Sequence, residues 1–412
     1  MKTLAVYFNG IRIGTLSQDI SGKIAFQYDQ EWLLSTGAHP ISQSLPLRAE
    51  AFSEATCIGF FGGLLPEENI RITIAKNLGI TPRNDYAMLR EIGGECAGAI
   101  SLIDPETKPA PREHAYHRIS LSELETTLGT LPTRPLLAGE AEIRLSLAGA
   151  QNKLSIYHDE QGYAIPLHES PSTHILKPQS EVFPELIDNE DYCLRLAREA
   201  GLPCAEARIE TVGSHSFLLI ERYDRKGEGE NLERFHQEDF CQALGISSRY
   251  KYQAEGGPSL AQCFELVRTA SARPAKDLIS LFEAVLFNYL IGNNDAHGKN
   301  FSLLYTASGT EQHVQLAPLY DLVSTAYYRE LSPKIAMKIG SKYLPNDLRL
   351  RHWETYWQDI GFSVKQALQR TRQFLERMDS ILNVSSQSTV EEAIHTIIKT
   401  RMARLRQNMR QA

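Results

Sequence analysis

The 412-residue chain is poor in cysteine and shows no cysteine pattern. Its six cysteines, at 57, 96, 193, 204, 241 and 263, include no CxxC pair and no zinc-type spacing. They read as small reduced hydrophobes of a cytosolic chain, which argues against a metal cage or a disulfide framework. A bilayer-spanning run is missing too. The longest apolar segment, "LISLFEAVLFNYLIG" from 278 to 292, contains Glu283 and Asn288 and falls short of the roughly 20 apolar residues a span needs, so it reads as a buried helix. The opening "MKTLAVYFNGIRIG" has too short an apolar run for a signal peptide and alternates like a strand into an Asn-Gly turn. Positive charge is not in excess either. A net charge of −7 argues against general, sequence-independent binding to nucleic acid, which depends on neutralising many phosphates. Internal repeats and low-complexity tracts are absent, and so are the GxGxxG and GxxxxGK loops of the common phosphate binders.

What is present fits an ordinary globular protein, with 42% hydrophobic and 23% charged residues. The length exceeds what one hydrophobic core usually serves, so two or three packed units are expected. Residues 1–110 mix short strands ("TLAVYFNGIRIGTL", "GKIAFQY", "GAISLI") with a helical stretch near 66–79, and end in a Pro-rich link, "DPETKPAPREH". Residues 111–224 read as strand-rich around one helix: "EIRLSLAGAQNKLSIY" and "YAIPL", then "THILKP", the helix "PELIDNEDYCLRLAREAG", and "ARIETVGSHSFLLIERYDR". Residues 225–412 are dominated by helical patterns, interrupted between 292 and 324. The class is therefore α+β.

The interruption carries the chemistry. In "NNDAHGKN", Asp295 and Asn300 have the Asp-x-x-x-x-Asn spacing of a kinase catalytic loop, where the Asp orients or deprotonates the acceptor hydroxyl and the Asn holds a magnesium ion. The following "FSLLY" and "HVQLA" read as a hairpin, and "PLYDLVS" then presents Asp321 where kinases put a second metal-binding acid. Magnesium takes a few hard oxygen ligands from protein and the rest from phosphate and water, so Asn300 with Asp321 suffices. The bland alternative is a helix-ending turn, because Asn, Asp and Gly favour turns for local reasons. His297 and Lys299 are open between nucleotide contacts and ordinary loop residues.

Upstream, "SLAGAQNK" (146–153) lies between two strand-like runs, and its small residues would let backbone N–H groups approach phosphate. A plain hairpin is its alternative. Lys177, ending the strand "HILK", is the candidate partner for nucleotide phosphates. On the next helix, Leu186, Glu190, Cys193, Ala197 and Ala200 make an inward stripe that includes a carboxylate. A buried carboxylate needs a cation; Lys177 would reproduce the kinase Lys–Glu pair, with Asp188 and Asp191 as competitors of Glu190. The charged "ERYDR" (221–225) reads either as a hinge between strand-rich and helical parts or as a linker.

Taken together, "RLSLAGAQNK", "THILKP", "DNEDYCLRLAREAGL", "ERYDR", "QEDFCQALG", "SRYKYQAEGGPSL", "LIGNNDAHGKNFSL" and "PLYDLVS", with "FFGGLLPEENIR" and "EIGGECAGAISLI" nearer the start, resemble the HipA family of bacterial serine/threonine kinases. These are the toxins of HipBA toxin–antitoxin modules. The resemblance implies a two-lobed kinase-like fold with an extra N-terminal α/β subdomain, ATP and Mg²⁺ as cofactors, and Asp295 as catalytic base, with Asn300 and Asp321 as metal ligands. It implies nucleotide contacts from Ala148, Gly149, Ala150, Gln151, Asn152, Lys153, Lys177, Glu221, Arg222, Tyr223, His297, Lys299, Asn300 and Tyr320. Ser146 matches the family's autophosphorylated serine, whose modification silences the kinase. Asn152 departs from the pattern, which has an acidic residue there. A small helix-turn-helix antitoxin of the HipB type, operator DNA reached mainly through that complex, and an aminoacyl-tRNA synthetase substrate, glutamyl-tRNA synthetase first among them, are the implied partners; no membrane partner is expected. Two alternatives stay open: a kinase of the same fold acting on another synthetase or a small molecule, and a non-catalytic, antitoxin-bound corepressor. The C-terminal "KTRMARLRQNMRQA", basic and without acids, reads as a solvated helix end or as a face for DNA.

Overall fold

The computed structural model describes residues 1–106, 114–308, 311–383 and 386–410. The boundary expected near 110 lies outside them. By contacts the chain divides into two units that interleave in sequence. Unit 1 comprises Met1–Gln179, Glu206–Arg249 and Leu304–His313; unit 2 comprises Ser180–Ala205, Tyr250–Leu303 and Val314–Ala412.

In unit 1, β1 (Lys2–Phe8), β2 (Ile11–Gln18), β3 (Ile24–Tyr28) and β4 (Ile100–Ile103) form a sheet in the order β3-β2-β1-β4. The turn between β1 and β2 is Asn9-Gly10, with φ of +46° and +76°, the left-handed pair that a tight hairpin matching strand twist requires. Between β3 and β4 run α1 (Gln30–Leu34), α2 (Glu54–Phe61), α3 (Glu68–Leu78) and α4 (Asp85–Ile92). A second antiparallel sheet orders β5 (Tyr116–Ile119), β7 (Gly162–Pro166), β6 (Leu154–Asp159), β8 (His174–Pro178), β10 (His215–Glu221) and β9 (Ala207–Val212). Helix α5 (Leu121–Thr130) follows β5, its first turn closed by reciprocal hydrogen bonds between Ser120 and Glu123. One apolar core joins both sheets, from Leu4 and Val6 of β1 through Phe60 and Phe61 of α2 to Leu154, Leu176, Phe217 and Leu219. The unit is completed by the short pair β11 (Arg225–Lys226) and β12 (Glu233–Arg234), then β13 (His236–Asp239) and α7 (Phe240–Ala243). Strands β14 (Ser302–Ser308) and β15 (Glu311–Leu316) enter unit 1 with their inner residues.

The expected strand "EIRLSL" ahead of the 148–153 loop does not form. Residues 142–147 hold only an isolated bridge between Leu145 and Glu95. Their backbone is taken up by the loop after α4 instead: the Glu95 N–H donates to the Arg144 carbonyl and the Ser146 N–H to the Glu95 carbonyl, both at 2.8 Å.

Unit 2 is helical: α6 (Leu186–Glu199), α8 (Leu260–Ala270), α9 (Pro274–Ile291), α10 (Leu350–Asp359), α11 (Val364–Leu382) and α12 (Thr389–Met409). Helix α9 is the segment expected to be buried. It begins with Pro274 in its first turn, where the missing N–H loses nothing. It ends at Gly292, whose φ of +79° is the left-handed cap glycine adopts most easily. A methyl there would also meet Ala326 Cβ at 2.7 Å. With sheets and helices together in one unit and helices dominating the other, the α+β class is borne out. No helix of the described residues is long and apolar enough to cross a membrane.

Candidate active site

The loop after Gly292 has backbone and side chains fastened at several points within unit 2. The Gly292 carbonyl accepts the Ala326 N–H (3.0 Å) and the Thr325 hydroxyl (3.1 Å), and the Asn294 N–H donates back to Thr325 Oγ1 (2.8 Å). Asn293 donates through Nδ2 to Asn288 Oδ1 at 2.8 Å and toward the Asp321 carbonyl at 3.4 Å. The Ala336 N–H donates to the Asn294 carbonyl at 2.8 Å. From α12, Arg401 donates to the Tyr289 carbonyl and, at 3.1 Å, to Asn294 Oδ1.

Asn293, Asn294, His297, Lys299 and Asn300 are accordingly buried, each 8% exposed or less. The Asp295 side chain, in their midst, is 48% exposed. Its Oδ1 accepts the Tyr252 hydroxyl at 2.7 Å, and its Oδ2 stands 4.0 Å from His297 Nε2. Asn300 Nδ2 reaches the Asp295 carbonyl at 3.5 Å. The Tyr320 hydroxyl donates to the Lys299 carbonyl and pairs with Ser302 Oγ, both at 2.6 Å, which places its phenol in the loop's framework. The next residue, Asp321, has φ of +57°. A non-glycine residue in that region stores roughly 1–3 kcal/mol, and such residues cluster at functional sites as well as in turns like Asn9. Asn300 and Asp321 offer hard oxygen donors tied into one loop system by Asn293 and Tyr320, a donor set that suits Mg²⁺.

Glu190 is fully buried on α6, as its stripe required. The neighbouring Asn189, also fully buried, was not singled out by the sequence. It accepts the Ser324 N–H (2.8 Å) and donates to the Ser324 carbonyl (3.1 Å), pinning the segment just past Asp321. Asp188 is exposed and Asp191 half-buried, bonded to Arg195. The C-terminal cations are engaged too: Arg401 as above, Arg404 with Asn346, and Arg406 with Asp379. That accounts for much of the basic run without an external partner.

In unit 1, Lys177 on β8 pairs in register with Leu218 and is 5% exposed. The 148–153 loop is closed by its own lysine, Lys153 Nζ donating to the Ala148 carbonyl at 2.7 Å. It rests on the segment after α2, where the Glu67 N–H donates to the Gly149 carbonyl at 3.1 Å. Gly149 has φ of +109°, a conformation that strains any L side chain, so the tight loop needs a glycine there. Ser146 is fully buried and donates to the Leu64 carbonyl at 2.8 Å.

The expected hinge holds a surprise. Glu221 is exposed and Tyr223 half-buried, its hydroxyl on Gln237, but the Arg222 side chain turns inward to Glu95 (2.9 Å) and Asp224 (2.8 Å). Arg225 joins both acids, at 2.6 and 2.9 Å. Burial alone would raise the Glu95 carboxyl; the guanidiniums of Arg222, Arg225 and Arg234 outweigh it and hold that carboxyl below its ordinary value. Any nucleotide contact at Arg222 would therefore fall to its backbone. Neither Glu95 nor Tyr252 was picked as a functional residue from sequence, although both lie in motifs that carry the family resemblance.

Comparison with known proteins matches residues 145–382 to the family model described as "HipA-like C-terminal domain" and residues 4–103 to "HipA N-terminal domain". The chain is 43% identical over 373 residues to "Putative kinase Y4mE" of Sinorhizobium fredii, covering 88% of this chain and 86% of that protein. It is 32% identical over 381 residues to "Serine/threonine-protein kinase toxin HipA" of Shewanella oneidensis, covering 87% and 83%. Among solved structures, the Shewanella oneidensis complex of HipA, HipB and operator DNA superposes with a TM-score of 0.81 at 27% identity, over 98% of this chain and 97% of that one.

Proposed function

The chain belongs to the HipA family, and from that premise we propose that it transfers the terminal phosphoryl group of ATP to a serine or threonine hydroxyl of a protein, with Asp295 as the base. It is a HipA-type serine/threonine-protein kinase of the toxin–antitoxin class. The observation that carries the assignment of Asp295 is its half-exposed carboxylate on a loop whose other polar residues are buried and fastened. Phosphoryl transfer needs little covalent chemistry from protein; positioning and charge stabilisation do the rest.

In this reading Asp295 orients the acceptor hydroxyl and takes its proton as the acceptor oxygen bonds to phosphorus and the bond to ADP breaks. Asn300 and Asp321 would hold Mg²⁺, which when bound offsets phosphate charge. Lys177 and the backbone of Ala148 to Lys153 contact phosphates, with His297 and Lys299 supporting from their own loop. Glu221 to Tyr223 hold the adenine by backbone. Tyr320, whose side chain braces the catalytic loop, contacts nucleotide from there. Ser146 is the proposed autophosphorylation site. Being buried and bonded to Leu64, it must leave its place to react, which would release the adjoining loop.

The proposed substrate is an aminoacyl-tRNA synthetase, glutamyl-tRNA synthetase first, with growth arrest as the consequence. Partners follow the solved relative: a HipB-like antitoxin, and operator DNA mainly through that complex, in agreement with the net charge of −7. The proposed location is the cytoplasm. Incubation of wild type and Asp321→Ala with γ-labelled ATP, Mg²⁺ and bacterial lysate tests the reading. Wild type should label a lysate protein and the variant none. Absence of any labelled protein with wild type, itself included, would overturn it and favour the non-catalytic corepressor.

A further inference from the structure

The two oxygens of Asp295 are not equivalent, and the difference comes from a residue 43 positions away in sequence. Tyr252 lies on a turn whose backbone is closed by the Glu255 and Gly257 N–H groups on its carbonyl, both at 2.9 Å. The same turn is fixed to the 336–338 segment: the Gln253 N–H donates to the Ala336 carbonyl (3.1 Å), and Gln253 Oε1 accepts the Lys338 N–H (2.8 Å). Ala336 in turn donates to the Asn294 carbonyl, immediately before Asp295. Tyr252 and Asp295 thus share one backbone anchor. The phenol ring packs edge-on against His297, centroids 5.3 Å apart, and the Lys251 ammonium lies 5.5 Å from the ring centroid. Both contacts restrict the ring, so the hydroxyl arrives at Asp295 Oδ1 from a set direction.

A half-exposed aspartate can adopt more than one rotamer, each departure from the productive one lowers the fraction of time the base is aimed, and a hydrogen bond to one oxygen narrows that range. We propose that Tyr252 is a positioning residue for phosphoryl transfer: by holding Oδ1 it sets the direction in which the Asp295 carboxylate meets the acceptor hydroxyl. Tyr252 does not touch nucleotide or the transferring group in this role. The inference rests on the reading of Asp295 as the base.

The test compares wild type, Tyr252→Phe and Asp295→Asn as full-length proteins with γ-labelled ATP and a serine- or threonine-containing protein acceptor. Phenylalanine keeps the ring against His297 and removes only the hydroxyl. Loss of transfer in Asp295→Asn secures the premise; retention there would sink the premise and leave the tyrosine without a base to position. With the premise secure, Tyr252→Phe should lower kcat about 10- to 100-fold, the scale for losing an outer partner that orients a functional group, with KM for ATP within about twofold and an unchanged Tm. Wild-type kcat in Tyr252→Phe overturns the inference. So does a fall in kcat accompanied by a lower Tm and a higher KM, because a merely structural tyrosine would move all three.

Discussion

Replacing Glu95 with glutamine removes one of two anions from a buried group that also holds three arginines. Glu95 Oε1 accepts from Arg222 Nη1 at 2.9 Å, Arg225 Nη2 at 2.6 Å and Ser172 Oγ at 3.2 Å, and the residue is fully buried. Asp224 is the other carboxylate, while the Arg234 guanidinium donates to Ser101 Oγ and the Glu169 carbonyl, and burial lowers its pKa to about 10. The native cluster therefore already carries an excess cation, and Glu95→Gln raises the excess to two. Breaking a buried pair from one side costs about 3–5 kcal/mol. Glutamine keeps one acceptor oxygen for a guanidinium, so the lower end, about 3 kcal/mol, is expected. Hydrogen exchange at β10 amides, read by mass spectrometry, isolates unit 1 from the helical unit. A second change, Arg225→Met, should recover part of the loss, because it returns the excess to the single cation of the native cluster. A loss under about 1 kcal/mol, or no recovery in the double variant, would refute a cluster held by its charges.

Glu238 yields a pH effect. Burial raises its carboxyl from the ordinary 4.5 to about 7, despite hydrogen bonds from Tyr305 and the Gln43 N–H. The unfolded chain gives up this proton first, so the stability Glu238 confers is fully present below its unfolded pKa and is lost as pH rises through about 7. Glu238→Gln should then raise stability by about 3 kcal/mol at pH 8.5 and change it little at pH 4.5; equal effects at both values in urea titrations would contradict this. At the end of α9, Gly292→Ala combines a left-handed φ with a methyl 2.7 Å from Ala326 Cβ. It should destabilise unit 2 by about 2 kcal/mol or more and depress transfer along with Tm; a neutral Tm would show that the loop anchor yields freely.

Much of this was legible in sequence where one local rule decided the outcome. Asn9-Gly10 announced its hairpin, and the apolar stripe of α6 correctly put Glu190 inside. The run 278–292 gave a buried helix, whereas Asp295 and Asn300 stood apart from an ordinary turn only in company with Asp321 downstream and the Lys177 segment upstream. The failures were non-local. "EIRLSL" alternates as a strand should, but the loop around Glu95 takes its hydrogen bonds, some fifty residues upstream, so no ladder forms. The inward turn of the Arg222 side chain was equally out of reach, because nothing nearby in sequence shows that Glu95, 127 positions earlier, draws it in. The partners of the C-terminal cations were hidden in the same way, since Asn294, Asn346 and Asp379 meet them only in the folded unit.

The central claim is that Asp295 is the base of a kinase. Turnover of purified Asp295→Asn, measured beside its affinity for Mg·ATP by calorimetry, tests it most directly. The expected result is a fall in kcat of about 10²- to 10⁴-fold, as for loss of a positioned base, with nucleotide affinity within about threefold of wild type. A variant that binds nucleotide normally and keeps more than a tenth of wild-type turnover would contradict it.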